Sequence, residues 1–403
     1  MAASRRKIWE WAIISRTFLF ITEILFNFII PDHESDGFRT PSIENTNLLD
    51  EIVSFMCGGL THWDGQHFLH IAQYGYTYEN NLAFFPLYPF LMKTIAITFG
   101  YPLQAVLSYR CVLIISGLFI NLMCFAASAE ILYELSRCVL KDENLAFRAA
   151  LLYCMNPASV FFSAIYTESL FACCVFAGML FYEKKMIFAS SICFALSGAT
   201  RSNGIINCGF PIYHVLHEIF KSTQFKRAKI NYLTISNLFK LVIHLCIIVI
   251  PFFAHQVYTY KLFCNNLELP IPHKVREYAF QNDLVLPSSD TSPSWCHHVV
   301  PSSYNAIQDK YWNVGFLRYY QWKQIPNFLL AAPITIILIA TSIRYCARNI
   351  QIVRQLGFVI GDRGSESIGI DNRAIFVYLV HAIVQLMLGW LFINVQVDKN
   401  VPI

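Results

Sequence analysis

Apolar runs long enough to cross a bilayer recur along the whole chain, and this constrains its fold more than any other feature. A membrane-crossing helix needs about 20 mostly apolar residues. Such runs lie at 8–30, 103–132, 146–166, 169–182, 187–200, 204–220, 238–260, 328–343 and 374–395. Segment 84–99, interrupted by Pro86 and Pro89, is a further, partly embedded candidate. The expectation is an all-α polytopic membrane protein with about nine transmembrane helices, built as one membrane domain over residues 1–403. Composition agrees: apolar residues make up 56% and charged residues only 14%, against roughly a quarter charged in soluble domains. The net charge of +4 is scattered rather than gathered into a basic stripe, which argues against a nucleic-acid partner. The first run is too long for a signal-peptide core and reads as a retained helix, with Arg16 and Glu23 one heptad apart on one face.

Lys and Arg concentrate in alternate connections. Arg5, Arg6 and Lys7 precede the first run, Arg137, Lys141 and Arg148 follow the second, and Lys184 and Lys185 follow the fourth. Further basic segments fall at 221–229 and 344–373. With nine spans, the positive-inside rule places all of these and the N-terminus in the cytosol. The two long polar segments, 31–82 and 261–327, and the short C-terminal tail then share the opposite, luminal side, where an active site is expected. Most of the thirteen cysteines sit in apolar runs, where a thiol acts as a small hydrophobe. A Cys264–Cys296 bridge is compatible with an oxidising lumen but does not follow from sequence alone.

The densest group of reactive side chains runs from Thr61 to His70, at the end of the first long segment. Asp64 suits the N-cap of a helix beginning at Gly65, which would place His67 and His70 on one face. A carboxylate within reach of an acceptor hydroxyl serves as a general base, and Trp63 offers a stacking wall for a sugar or lipid. An ordinary helix cap beside an interfacial Trp explains the pair about equally well. The histidines lack the spacing of a zinc motif, so no metal ligand and no cofactor is assigned. Arg201 is a lone cation on the face that should be poor in them. It would contact phosphate through its planar fork or pair with Glu168. Gln256 and His381 are polar residues inside apolar runs, where bonding to a neighbouring helix is the commoner role. Asp309 sits in an aromatic stretch suited to sugar stacking or to an interfacial helix.

Several segments together resemble the PIG-V family of GPI mannosyltransferases. They are 26–33, His62-Trp63-Asp64 with His67-Phe68, Gly75-Tyr76, 83–86, 201–204, 311–316, 326–333, 380–382 and 395–397, in order along the chain. The resemblance implies a GT-C type enzyme of the endoplasmic reticulum that adds the second, α1,6-linked mannose to the mannosyl-glucosaminyl-phosphatidylinositol intermediate. The implied donor is dolichyl phosphate mannose. A β-linked donor and an α-linked product mean inversion in one in-line displacement, which needs a base and cationic stabilisation of the departing phosphate. Asp64 occupies the acidic position of the family's first loop and is assigned the base. Trp63, His67, Arg201, Asn203, Gln256, Asp309 and His381 are the expected substrate-binding residues. The implied partners are the donor, the GPI precursor and membrane lipids, with a small membrane subunit as a further candidate. Family members continue past the His381 helix into another span, whereas this chain ends at Ile403. The rival readings are another dolichyl-phosphate-sugar mannosyltransferase of the endoplasmic reticulum, a transporter and a non-catalytic multi-pass subunit.

Overall fold

The computed structural model describes residues 2–30, 37–41, 46–225, 232–265, 267, 269–287, 292–358 and 372–392. Pro31-Asp32-His33, Lys229, most of the distal part of 344–373, the end of the ninth run and segment 395–397 lie outside the described residues. Every regular element among the described residues is helical. The chain runs through α1 (Ala2–Ile29), α2 (Leu48–Cys57), α3 (Asp64–Tyr74), α4 (Leu87–Ile97), α5 (Tyr109–Leu140), α6 (Glu143–Cys154), α7 (Ser159–Ser163) and α8 (Glu168–Glu183). It continues through α9 (Ile187–Thr200), α10 (Gly209–Phe225), α11 (Tyr232–Cys264), α12 (His273–Gln281), α13 (Ser303–Trp312), α14 (Ile325–Arg348), α15 (Ile350–Arg354) and α16 (Ile375–Phe392). Short 3₁₀ turns at Gly58–Thr61, Glu79–Ala83, Ser202–Cys208 and Ser294–His297 link them near the site described below.

Five of these helices are long and apolar enough to cross a membrane: α1, α5, α11 from Ile235, α14 and α16. They correspond to five of the nine runs, and together they make the chain a polytopic, all-helical membrane protein. The other four runs form shorter helices. Run 146–166 is split into α6 and α7 because Pro157 cannot continue a helix, and Asn156 Oδ1 accepts the Ala158 N–H at 2.9 Å in the break. Run 204–220 begins as the Ser202–Cys208 turn and becomes α-helical only at Gly209. Run 103–132 shifts to 109–140, since Ser108 caps the helix by accepting the Cys111 N–H at 3.4 Å.

Helix α5 is the buried axis, packed against α1, α4, α6 and α8, with α9 and α11 beyond α8. Small residues on α5 permit this close approach. Gly117 lies against Tyr88 and Met92 of α4, and Ala126 and Ala129 are buried against α1. Buried polar side chains then fix the register. Asn121 donates to the Tyr88 hydroxyl at 3.0 Å, to Tyr166 O at 3.1 Å and to Ala164 O. Arg16 of α1 donates to Ser159 O at 2.8 Å and Ser159 Oγ at 2.6 Å, and lies 4.0 Å over the Phe125 ring. A membrane-depth Arg held this way is a helix tether, which removes one reason for reading the chain as a transporter.

The helix ends sort into two groups. Arg5 pairs with Glu134 at 2.8 Å and Ser4 reaches Glu143 at 3.2 Å, so the N-terminus and the α5–α6 connection share one end of the bundle. At the opposite end of α5, Asp50 accepts the Ser108 N–H at 2.7 Å. There the two long polar segments meet: Tyr78 donates to Val275 O at 2.7 Å, and Glu79 N–H to Val285 O at 3.0 Å. Cys264 and Cys296 form a disulfide with 5.6 Å between their Cα atoms, closing the second long segment onto the end of α11.

Candidate active site

Where the two long segments meet the bundle, a cavity of about 370 Å³ opens. Its floor comes from α3 and the 83–85 strip, one wall from Thr167 and residues 200–203, and the other from α13. The polar groups facing it include Asp64, Thr167, Arg201, Ser202, Asn203, Tyr304 and Gln308. Phe68, Phe84, Phe85 and Trp312 supply its apolar surface. A concave site with aromatic walls and a few convergent polar groups is suited to a sugar-bearing ligand.

Asp64 is the first residue of α3 rather than its cap, which corrects the sequence expectation. The cap position belongs to Trp63, whose backbone stands at φ 57 and ψ −118. For a bulky residue this conformation costs on the order of 1–3 kcal/mol and persists only where the surroundings enforce it. They do so here: Gly65 N–H donates to His62 O at 3.1 Å, and Ile165 N–H donates to Leu60 O at 2.9 Å. The kink turns the Asp64 carboxylate into the cavity and leaves the Trp63 ring 58% exposed, outside the lining. Both Tyr166 and Arg201 feel the charge of Asp64.

Arg201 pairs with Glu168, one of the two sequence expectations, and remains at the cavity. Its Nη1 donates to Glu168 Oε1, and more loosely to Thr167 Oγ1 at 3.4 Å, while the residue still lines the cavity. The pair fixes the guanidinium without removing it from the site. Asn203 also lines the cavity, and its Oδ1 is buried without a hydrogen-bond donor among the described residues. The local backbone is shaped by glycine: a Cβ on Gly204 would stand 2.4 Å from Gly198 N and 2.6 Å from Gly198 Cα. Only glycine lets this turn close against α9 and bring residues 201–203 to the wall.

Besides Trp63, four further expected residues sit elsewhere. The ring of His67 is buried behind Phe84, stacked on it at 4.3 Å and on Phe38 at 4.5 Å, and shares a 2.7 Å hydrogen bond with Asn81 Oδ1. It backs the cavity rather than lining it. Gln256 Oε1 accepts from Ser303 Oγ at 3.1 Å and Tyr304 N at 3.2 Å, so it holds the start of α13 from α11. Asp309 pairs with Arg318 on the outer side of α13, because it is turned about 100° from Gln308 along the helix. His381 bonds Asn207 Oδ1 at 3.0 Å and lines a separate apolar cavity of about 280 Å³ between α10 and α16. Gln256 and His381 thus make helix-to-helix bonds, the commoner role for polar residues in spans. Sequence reading missed Tyr304, Gln308 and Trp312 as one wall, although their four-residue steps carry the signal of a shared helical face.

The histidine group does not converge. His62 is exposed, and His70 is buried with Nε2 2.6 Å from Thr77 Oγ1. Among the described residues no three His, Cys, Asp or Glu side chains gather as a metal site. Burial lowers the His67 pKa to about 4, against a smaller opposing effect of the Asn81 hydrogen bond, and drives His70 down as well. Both rings are therefore neutral near pH 7. Below pH 6.5 the unfolded chain takes up protons that folded His67 refuses until about pH 4. Folding stability is expected to fall with pH across that window, by about 1.4 kcal/mol per unit for each such ring. Thermal unfolding of purified protein between pH 7.5 and 5 measures this. A His67→Leu variant should show a shallower decline, and an unchanged decline would contradict the assignment.

The chain is similar to known proteins over nearly its whole length. The chain is 36% identical to human GPI alpha-1,6-mannosyltransferase 2, over 98% of this chain and 80% of the relative. It is 34% identical to GPI mannosyltransferase 2 of Drosophila pseudoobscura pseudoobscura, over 98% of the chain and 87% of the relative. A relative from Schizosaccharomyces pombe, also named GPI mannosyltransferase 2, is 30% identical over 67% of the chain and 50% of its own length. No solved structure matches. The family described as Mannosyltransferase (PIG-V) matches residues 5–401, so the motifs around Asp64, Arg201 and α13 fall within one full-length match, and the chain belongs to that family of mannosyltransferases.

Proposed function

We propose that this protein transfers the second, α1,6-linked mannose of the GPI anchor from dolichyl phosphate mannose to the mannosyl-glucosaminyl-phosphatidylinositol intermediate. The observation that carries the reading is a single cavity holding a carboxylate, Asp64, and a guanidinium, Arg201, between aromatic walls. Relatives named for α1,6 mannosyl transfer over nearly the whole chain support it.

In this reading the acceptor mannose enters with its 6-hydroxyl toward Asp64. The hydroxyl oxygen attacks C1 of the donor mannose as the bond from C1 to the phosphate oxygen breaks, inverting that carbon. The proton passes to Asp64, and the negative charge remains on dolichyl phosphate, beside Arg201. A base and a preorganised cation address the two charges that develop in such a transition state. Asn203 Oδ1 offers an acceptor to a sugar hydroxyl, and Trp312 and Phe84 offer stacking faces. Trp63, outside the cavity, suits the lipid or headgroup region. His67, Gln256, Asp309 and His381 are assigned supporting roles.

We place the enzyme in the endoplasmic reticulum membrane with the N-terminus cytosolic and the cavity luminal. Arg5 and Arg137 near one end of the bundle, with the disulfide and both long segments at the other, support that orientation. The four remaining apolar runs, folded as shorter helices beside the five long ones, are compatible with nine spans. The test is rescue of surface GPI-anchored proteins in cells lacking the second GPI mannosyltransferase. Restoration by this chain is expected, and failure at normal abundance would sink the pathway assignment.

A further inference from the structure

Glu79 lies outside the cavity, yet one of the cavity's walls is held through it. The residue begins the turn Glu79–Ala83, which leads directly into the Ala83–Phe85 strip of the cavity floor. Its side chain is almost wholly buried, at 1% exposure. Oε1 accepts the indole N–H of Trp295 at 3.0 Å, while Oε2 accepts the Tyr311 hydroxyl at 2.8 Å and the Lys310 ammonium. All three donors belong to the second long segment. A carboxylate this deep is tolerated only when its oxygens are hydrogen-bonded and its charge is paired, so removing it leaves three donors without their acceptor.

Two of those donors sit on α13, the helix that presents Tyr304, Gln308 and Trp312 to the cavity. The start of α13 has its own attachments, through Gln256 and through Thr259, whose hydroxyl lies 2.8 Å from Ser303 Oγ. Trp295 is tethered separately, since the next residue, Cys296, is bonded to Cys264. The end of α13, with Gln308 and Trp312, is held by the Glu79 carboxylate and by packing of Trp312 on Phe84 at 5.8 Å. We infer that Glu79 is a positioning residue for the transfer reaction: it docks the second long segment on the first and sets where the α13 wall stands across from Asp64 and Arg201. This inference rests on the reading of the cavity as the site of transfer. A displaced wall loses contacts that hold the acceptor, while Asp64 and Arg201, on other elements, keep their places.

The test uses the full-length chain in lipid nanodiscs, with dolichyl phosphate mannose and synthetic mannosyl-glucosaminyl-phosphatidylinositol. Glu79→Gln keeps the size of the side chain and removes its charge. The expected result is a rise in acceptor KM of about tenfold with kcat changed by less than about threefold, because binding geometry is disturbed more than the chemistry. Hydrogen exchange should accelerate over residues 308–312 and stay unchanged over α5. Glu79→Asp should recover part of the KM. Where Glu79→Gln fails to accumulate, Tyr311→Phe removes a single hydrogen bond and should raise KM by about threefold.

Unchanged KM in Glu79→Gln, or a loss spread evenly over α5 and α13, overturns the inference. Gln308→Ala and Trp312→Ala separate the two layers. If they raise KM while Glu79→Gln and Tyr311→Phe do not, the cavity reading stands and the role of Glu79 falls. If they leave transfer untouched along with Asp64→Asn, the cavity itself is misassigned and the inference falls with it.

Discussion

Asp64→Asn should reduce mannosyl transfer by about a thousandfold at matched protein abundance, the middle of the range for loss of a positioned general base. The substitution is nearly isosteric, so the strained turn at Trp63 and the start of α3 should survive it. Asp64 is at the first helical position, and its negative charge there contributes only about 0.3–1 kcal/mol through the helix dipole. Thermal stability should therefore move little while turnover collapses. The measurement is initial rate with purified protein, beside a melting curve for each form. If Asp64→Asn keeps more than a tenth of the rate with an unchanged melt, Asp64 is not the base. Glu168 is then the next carboxylate to test, since it lies beside Arg201 near the same wall.

The second large effect concerns Arg201. Loss of a preorganised charge at the departing phosphate should cost about a hundred- to a thousandfold in kcat. Arg201→Leu alone is a poor test, because it leaves the half-buried Glu168 without its counter-ion and mixes a cost to the fold with the loss of charge at the phosphate. The informative variant is Arg201→Leu with Glu168→Leu, which removes both charges together. It should fold, as judged by its melt and by intact packing of α8 on α9, and remain inactive. Arg201→Lys should fall between, near a tenfold loss, because an ammonium keeps the charge but not the planar fork that serves Glu168 and phosphate together. A double variant that folds and transfers mannose within about twofold of the parent would falsify the phosphate role and leave Arg201 as a structural partner of Glu168.

Much of this molecule was legible before its coordinates. Long apolar runs announce membrane helices because lipid offers backbone groups no other partner. The five longest helices fall where those runs do, with ends moved by local signals such as the Ser108 cap. The positions around Asp64 and the 201–204 turn were also legible. They bring unlike chemistry, a carboxylate, a guanidinium and glycine, into sequence that is otherwise apolar. Less legible was what each polar residue faces. Asp309 and Gln308 are adjacent in sequence, yet one pairs with Arg318 outside and the other lines the cavity. His67 and Phe84 look like equal candidates for a binding surface, and only packing decides that the imidazole stands behind the phenyl ring.

By itself, the sequence determined the all-helical membrane class, the family, and the two long polar segments that meet beside the cavity. These depend on composition, run length and motif order, which are properties of the chain read along its length. The tertiary structure alone decided that Asp64 and Arg201, 137 positions apart, face one cavity, and that Gln256 and His381 are helix tethers. It also decided that Glu79 is the acceptor for Trp295, Lys310 and Tyr311. Each of these facts is a long-range pairing. A side chain's role at a site is set by the partners that folding brings to it, and those partners lie far away in the linear chain.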